Sequence, residues 1–423
     1  MKPHPTIGPT PYPVVKTPPQ QGRGRIRRGR ILALVESPDH VCDRYRIAAF
    51  EPWLHAFGYE LERLPLSQTK GPARWLALAR SGRFHAVLLQ RKLLAPWELA
   101  ILRGFCRRLV YDFDDAVMLR DSHDPRGPFD RRRRIRFGIV MKQADAILAG
   151  NSFLADRAVE AGADPHTLRV LPTCVEPPDP ATLSRSPAFA TTPRPAGAGL
   201  LLGWIGSSST LKGLEKPRAI WDAVAKALPG VRLRAICDRA PDLGSLAVEW
   251  VPWSRETETT SLAECDVGIS HIPDDLWSRG KCGLKLLQAM AVGLPVVANP
   301  VGVHPEMIEP NVNGFLAVTP EQWVDALTRL TNDPALRKNM GQAGRLRVER
   351  DYSVAMHARS FVEALLGEDA FNPSTSFDSG TETLSGSLSS SRGLCPHNLA
   401  TPLQGRSCVR TAPVGTAPRE TRA

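Results

Sequence analysis

The feature that most constrains this chain is an alternation of short apolar runs with helical patterns, played twice on either side of a proline-rich break. Arg30-Ile-Leu-Ala-Leu-Val-Glu36 is nearly continuous in apolar residues, the pattern of a parallel strand buried on both faces. A helical pattern over 44–57 follows, stopped by Gly58. Further strands read at 59–64, 85–90, 108–113, 145–149 and 168–172, separated by helical patterns at 72–80, 96–105, 131–143 and 152–161. Prolines 177, 178, 180, 187, 193 and 195 then interrupt the rhythm over 176–198, which reads as a linker. A second series opens at Leu200-Leu-Leu-Gly-Trp-Ile205, with strands at 232–237, 248–251, 266–271, 295–299 and 314–318 and helices at 214–228, 257–264, 283–292, 320–332 and 334–350. Strand–helix alternation of this kind builds right-handed βαβ units and a parallel sheet. The expected fold is therefore α/β, two Rossmann-like domains whose parallel sheets face a cleft, and ligands are expected at the carboxyl ends of the strands.

The 423 residues suffice for two domains plus tails. Residues 1–29 are basic, proline-rich and aperiodic, and 367–423 are rich in Ser, Thr, Gly and Pro. Neither segment can bury enough apolar surface to offset chain entropy. The net charge of +11 is concentrated at the start: residues 1–30 hold seven Lys and Arg and no acid, leaving +4 for 31–366. That argues against a dedicated nucleic-acid binder, whose folded domain is itself strongly basic. The eight cysteines form no CxxC pair and point to neither a zinc site nor a disulfide framework. No apolar run approaches the ~18 residues that span a bilayer, and the N-terminus lacks the apolar segment of a signal peptide. The expected location is cytoplasmic, with contact at the inner face of the membrane left open.

The most informative stretch runs from Arg279 to Gly302, RGKCGLKLLQAMAVGLPVVANPVG. A glycine-rich entry exposes backbone N–H groups at a helix start, which suits a diphosphate. Lys281 and Lys285 can reach past the same helix end, and Gln288 shares a face with Lys285. The alternative, that Leu284, Leu287 and Met290 are core and the lysines merely solvated, stays open on these residues alone. Gly203-Trp-Ile-Gly-Ser-Ser-Ser-Thr-Leu-Lys-Gly213 opens the second half, and Gly206, Ser207 and Ser208 supply unhindered donors for phosphate oxygens. Tyr111-Asp-Phe-Asp-Asp115 ends a strand of the first half. Its carboxylates repel one another, so one is expected to have a raised pKa and to serve as a base; a metal-binding DxD and a capping role compete with that reading. Arg44 and Arg46 begin the first helix and are candidates for an anionic acceptor or the donor phosphates. Arg131-Arg-Arg-Arg-Ile-Arg136 is read first as a solvated face, with lipid headgroups as the alternative. His85 and His271 are expected to be structural or cleft-lining and not metal ligands.

The run from Arg279, followed by Glu306, Asn313-Gly-Phe-Leu316 and Glu321-Gln-Trp323, resembles the donor-binding half of family 4 glycosyltransferases. The resemblance spans about 30–365 and is strongest from Gly203 to Tyr352. It is closest to members with an Arg-Tyr-Arg near the start, here Arg44-Tyr45-Arg46, and a Tyr-Asp-x-Asp-Asp, here Tyr111–Asp115. It implies a GT-B fold, with an acceptor domain over 30–175, a donor domain over 199–352 and a helix over 353–366 crossing back to the first domain. It further implies a usually retaining, metal-independent transfer that needs no cofactor beyond the nucleotide-sugar co-substrate, to a glycan or lipid-linked acceptor, with no nucleic-acid partner. By resemblance, Lys212 and Gln288 bind the donor and Asp114 and Asp115 are catalytic; the residue reading adds Gly206, Ser207, Ser208, Lys281 and Lys285 to the expected donor site, and Arg44 and Arg46 as expected holders of acceptor or phosphate. The paired glutamates of that family fall on Gly280 and Gln288. A catalytically degenerate scaffold and a nucleotide-sugar epimerase are the alternatives.

Overall fold

A computed structural model describes residues 28–37, 40–179, 181 and 199–371. The expectations for both tails and for most of the linker lie outside the described residues. Two six-stranded, all-parallel sheets carry the fold. The first has the order β2-β1-β3-β4-β5-β6, built from β1 (Gly29–Val35), β2 (Tyr59–Pro65), β3 (Ala86–Gln90), β4 (Leu109–Phe113), β5 (Ala146–Ala149) and β6 (Leu168–Val170). The second has the order β12-β11-β10-β7-β8-β9, built from β7 (Leu201–Ile205), β8 (Arg232–Cys237), β9 (Ala247–Pro252), β10 (Val267–Ser270), β11 (Val296–Ala298) and β12 (Gly314–Leu316). The second sheet has the dinucleotide-binding strand order, and its order reverses between β7 and β10. The first is wound in the flavodoxin manner, reversing between β1 and β3.

The apolar runs form strands because both faces of each sheet are covered. Along β1, Leu32 and Leu34 enter one core cluster while Ile31, Ala33 and Val35 enter the cluster on the other side. Along β7, Leu202 and Trp204 face one core, and Leu201 and Ile205 the other.

In the first half the helices are α1 (Val41–Arg46), α2 (Glu51–Ala56), α3 (Gly71–Ala79), α4 (Pro96–Phe105), α5 (Arg131–Gln143) and α6 (Ser152–Glu160). The single helix expected over 44–57 is instead α1, a 3-10 turn (Ala48–Phe50) and α2. Pro52 lies in the first turn of α2, where its missing N–H costs nothing, so the chain restarts there.

In the second half come α7 (Ser208–Glu215), α8 (Arg218–Ala227), α9 (Glu258–Ala263), α10 (Leu276–Arg279), α11 (Leu284–Ala291), α12 (His304–Met307), α13 (Pro320–Asn332) and α14 (Pro334–Asp351). The helix expected at 214–228 is two helices, α7 starting directly after β7 and α8 starting after Pro217. The last helix, α15 (Val354–Leu366), packs on the first sheet: Phe361 stacks on Phe50 at 4.5 Å, and Arg108 Nε donates to the Ala364 carbonyl at 2.7 Å.

Candidate active site

Carboxyl ends of both sheets meet across a cleft, and the segment joining α10 to α11 fills much of it. Gly280 approaches the first half so closely that a Cβ would lie 2.8 Å from the Ala116 backbone nitrogen. Asn151 Nδ2 donates to the carbonyls of Arg279 (3.2 Å) and Lys281 (3.1 Å), and Cys282 Sγ donates to the Asp114 carbonyl at 3.3 Å. Ser122 adds a bond to Asp275 at 3.0 Å. A glutamate at position 280 would therefore have to displace the neighbouring half.

The second half gathers its candidate anion-binding residues at its switch point. Gly206 follows β7, and a Cβ there would sit 2.5 Å from the Trp204 ring and 2.9 Å from Lys285 Cε. Only a glycine leaves room for the lysine stem. Lys285, in the first turn of α11, lies over Trp204 at 5.4 Å and has no carboxylate partner among the described residues. Burial, with Lys281 nearby, pulls its ammonium down to about 8. Ser207 is exposed, its hydroxyl 2.7 Å from that of Ser209. Ser208 is already engaged: its N–H and hydroxyl both donate to Asp238 at 2.6 Å, and these bonds hold the Asp238 carboxyl down at about 2. Lys212 is exposed on α7.

Facing it, the first half presents a charge cluster. Asp115 accepts from Arg91 Nη2 at 2.6 Å and from Lys281 Nζ at 3.0 Å, the latter an ion pair across the cleft. Arg91 also lies 3.4 Å from Asp114. Burial alone would raise the Asp114 carboxyl, but Arg91 and Arg46 outweigh it and hold it below the usual range. The expectation that repulsion raises a candidate base is thus corrected for Asp114. The carboxyl pushed upward, by burial and against the pull of Arg46, is Asp112, which has no exposed surface.

Arg46 needs the same correction. It is 0% exposed; its Nε donates to both Asp112 oxygens at 2.9 and 3.0 Å, and its Nη1 to the Leu171 carbonyl at 2.7 Å. It faces the core and offers nothing to an acceptor or phosphate. Among the described residues no three His, Cys, Asp or Glu side chains are placed to share a metal ion. Of the three aspartates of the Tyr111–Asp115 run, Asp112 turns to Arg46, while Asp114 and Asp115 share Arg91.

Arg44 does face the cleft. It pairs with Glu258 of α9 and lies over the Tyr45 ring at 4.8 Å, while Gln288 Nε2 donates to the Tyr45 hydroxyl at 3.1 Å. These groups line a cavity of about 220 Å³ between the halves, together with Glu176 and Thr259. Burial, with Glu258 nearby, pushes the Tyr45 phenol up to about 12. A second cavity, about 260 Å³, lies between Asn151–Phe153 and the 300–303 turn, with Glu306 on its wall. Sequence reasoning missed Arg91, Tyr45 as a cleft residue, Glu258 and Asp238. Only Arg91 leaves a local trace, the first residue after a strand in a left-handed conformation (φ 57°), and that is invisible in one sequence. His271 Nδ1 lies 3.0 Å from the Gly213 carbonyl and His85 packs edge-on against Tyr59.

Residues 276–347, from α10 into α14, match the family model described as Glycosyl transferases group 1. The chain is 26% identical over 245 residues to the D-inositol 3-phosphate glycosyltransferase of Saccharomonospora viridis, covering 53% of this chain and 56% of that protein. It therefore spans little more than half the length of that relative. Among solved structures, Anabaena Alr3699/HepE in complex with UDP and glucose superposes with a TM-score of 0.61 at 16% identity, over 80% of this chain and 99% of that one. Sucrose-phosphate synthase from Thermosynechococcus elongatus gives 0.61 at 16% identity, over 79% and 98%. The chain has the GT-B fold and carries, at the site just described, a segment that matches glycosyl transferases group 1.

Proposed function

We propose that this protein is a glycosyltransferase that moves a sugar from a nucleotide-diphosphate donor to a glycan or lipid-linked acceptor, with retention and without a metal. One observation carries the reading: Lys285, desolvated on Trp204 beside Gly206, has no carboxylate partner at the switch point of the second sheet. A cation kept unpaired in a partly dry site is held for an anion that arrives from solution. The relative that matches in sequence is itself a glycosyltransferase, and the structural neighbour was solved with UDP and glucose.

In this reading the diphosphate lies on the 206–208 loop against Lys285. Lys281 exchanges Asp115 for a phosphate oxygen, and Gln288 exchanges Tyr45 for the ribose. Two ammonium groups then stabilise the leaving diphosphate as the glycosidic bond lengthens, the task a divalent cation performs elsewhere. Asp115, freed from Lys281 but still held by Arg91, faces the acceptor together with Asp114. The closed contacts of Gly280 exclude water from the reacting centre.

Thermal-shift titration of the folded chain with UDP, GDP and ADP, in EDTA, tests this. One nucleotide at a hundredfold excess over its Kd is expected to raise Tm by about 4 °C. The shift disappears in Lys285→Ala. No shift with any of the three overturns the donor site. A second reading, a donor-binding protein without turnover, draws on the absence of a side chain at Gly280 and on the engagement of Asp115 by two cations. Retained nucleotide binding with no transfer across acceptors selects it.

A further inference from the structure

Outside the cleft, the largest unexplained feature is an aromatic and basic rim where α3, α4 and α5 begin. Trp75 and Trp97 are 49% and 50% exposed and stand edge to face, centroids 5.8 Å apart. Leu76 is exposed beside them, and neither indole N–H has a hydrogen-bond partner among the described residues. The neighbouring acid Glu98 is neutralised by Arg74 at 2.9 Å. The arginine run enters the same rim: Arg136 donates to the Leu93 carbonyl at 3.2 Å, four residues before Trp97. Arg131, Arg132 and Arg134 are exposed and make no ion pair among the described residues, because Asp130 caps α5 and pairs with Arg120.

We infer that this rim is a docking surface for an anionic lipid bilayer. Exposed tryptophans with free N–H groups suit the headgroup boundary, where the ring is buried and the N–H stays wet. Unpaired arginines beside them suit anionic headgroups and do not suit an apolar protein partner. Each of these helices begins at the carboxyl edge of the first sheet, the edge that carries Arg91, Asp114 and Asp115. A bilayer on the rim therefore lies next to the acceptor side of the cleft, and the acceptor is of the lipid-linked class. That last step rests on the transferase reading; the docking itself does not.

Flotation of the full chain tests it, with vesicles of phosphatidylcholine alone and with roughly one-third phosphatidylglycerol. Binding is expected on the anionic vesicles only. Trp75→Ala/Trp97→Ala is expected to weaken it by about tenfold or more. Replacing Arg131, Arg132 and Arg134 with Ala weakens it by about fivefold per residue at low salt. Brominated lipid quenches tryptophan fluorescence in the unmodified chain, which reads insertion without any variant. The Lys285→Ala chain binds vesicles as the unmodified one does, so loss of the donor site and loss of docking are read separately. No binding to anionic vesicles, or binding unchanged in both rim variants and therefore owed to the basic segment 1–30, overturns the inference. Self-association abolished by the tryptophan substitutions, with no vesicle binding, also overturns it.

Discussion

Each half of the molecule holds a cation near its cleft, one fully buried and one half-buried, and the two are treated in opposite ways. In the first half Arg46 is sealed in the core with Asp112 and a backbone carbonyl, so its charge is spent inside the fold. In the second half Lys285 is set on an indole ring and makes no ion pair among the described residues. Charge at a cleft does not by itself mark a binding residue, since Arg46 is used up inside the fold.

That contrast can be broken. The largest effect is expected for Arg46→Met, which strands a buried carboxylate and should cost about 3–5 kcal/mol of unfolding free energy by denaturant titration. The double change Arg46→Met/Asp112→Leu should recover much of the loss. If Arg46→Met instead weakens nucleotide binding in a fully folded protein, the division between the halves fails. Next in size, Lys285→Met should lower nucleoside-diphosphate affinity by about 10–100-fold in calorimetry, the range of a charge-assisted bond.

Its stability effect has the opposite sign. The ammonium is depressed on folding from the ordinary 10.5 to about 8. The charged lysine therefore costs stability below pH 8, and the cost fades as pH rises from 8 towards 10.5. Lys285→Met should melt higher than the unmodified chain at pH 7 and lose that advantage by pH 10. Nucleotide affinity should fall above about pH 8 as Lys285 deprotonates, whereas Lys285→Arg should bind with no such fall.

Smaller again is the effect of Asp115→Asn, which releases Lys281. Nucleotide affinity should rise by about threefold, as for removal of a partly exposed ion pair, while transfer falls. Affinity and turnover moving down together would place Asp115 in donor binding. The smallest is Tyr45→Phe, which removes one neutral bond to Gln288 and should change nucleotide affinity by about twofold.

Much of this fold is legible in one sequence, because strands buried on both faces need continuous apolar runs and glycine or proline marks their ends. Breaks inside helices are less legible: the restart at Pro52 and the gap at Pro217 depend on how the flanking turns pack. The candidate site was partly readable. Lys285 and Gly206 come together because each closes a strand–helix unit of the same sheet. Pairs such as Lys281–Asp115, Gln288–Tyr45 and Arg44–Glu258 join residues 166, 243 and 214 positions apart, and no local pattern announces them. Asp112 misleads for a related reason. Beside Asp114 it reads as one of a set, yet it lies within β4 and is enclosed against Arg46, whereas Asp114 lies past the end of the strand.

The return of α15 to the first sheet has a consequence for biosynthesis. Phe361, Val362 and Leu365 complete the core that holds Ile31, Phe50 and Leu54, so the half of the chain made first cannot finish its interior until α15 has left the ribosome. The second half, begun and ended within 199–352, can settle earlier, and chain order and folding order run in opposite directions.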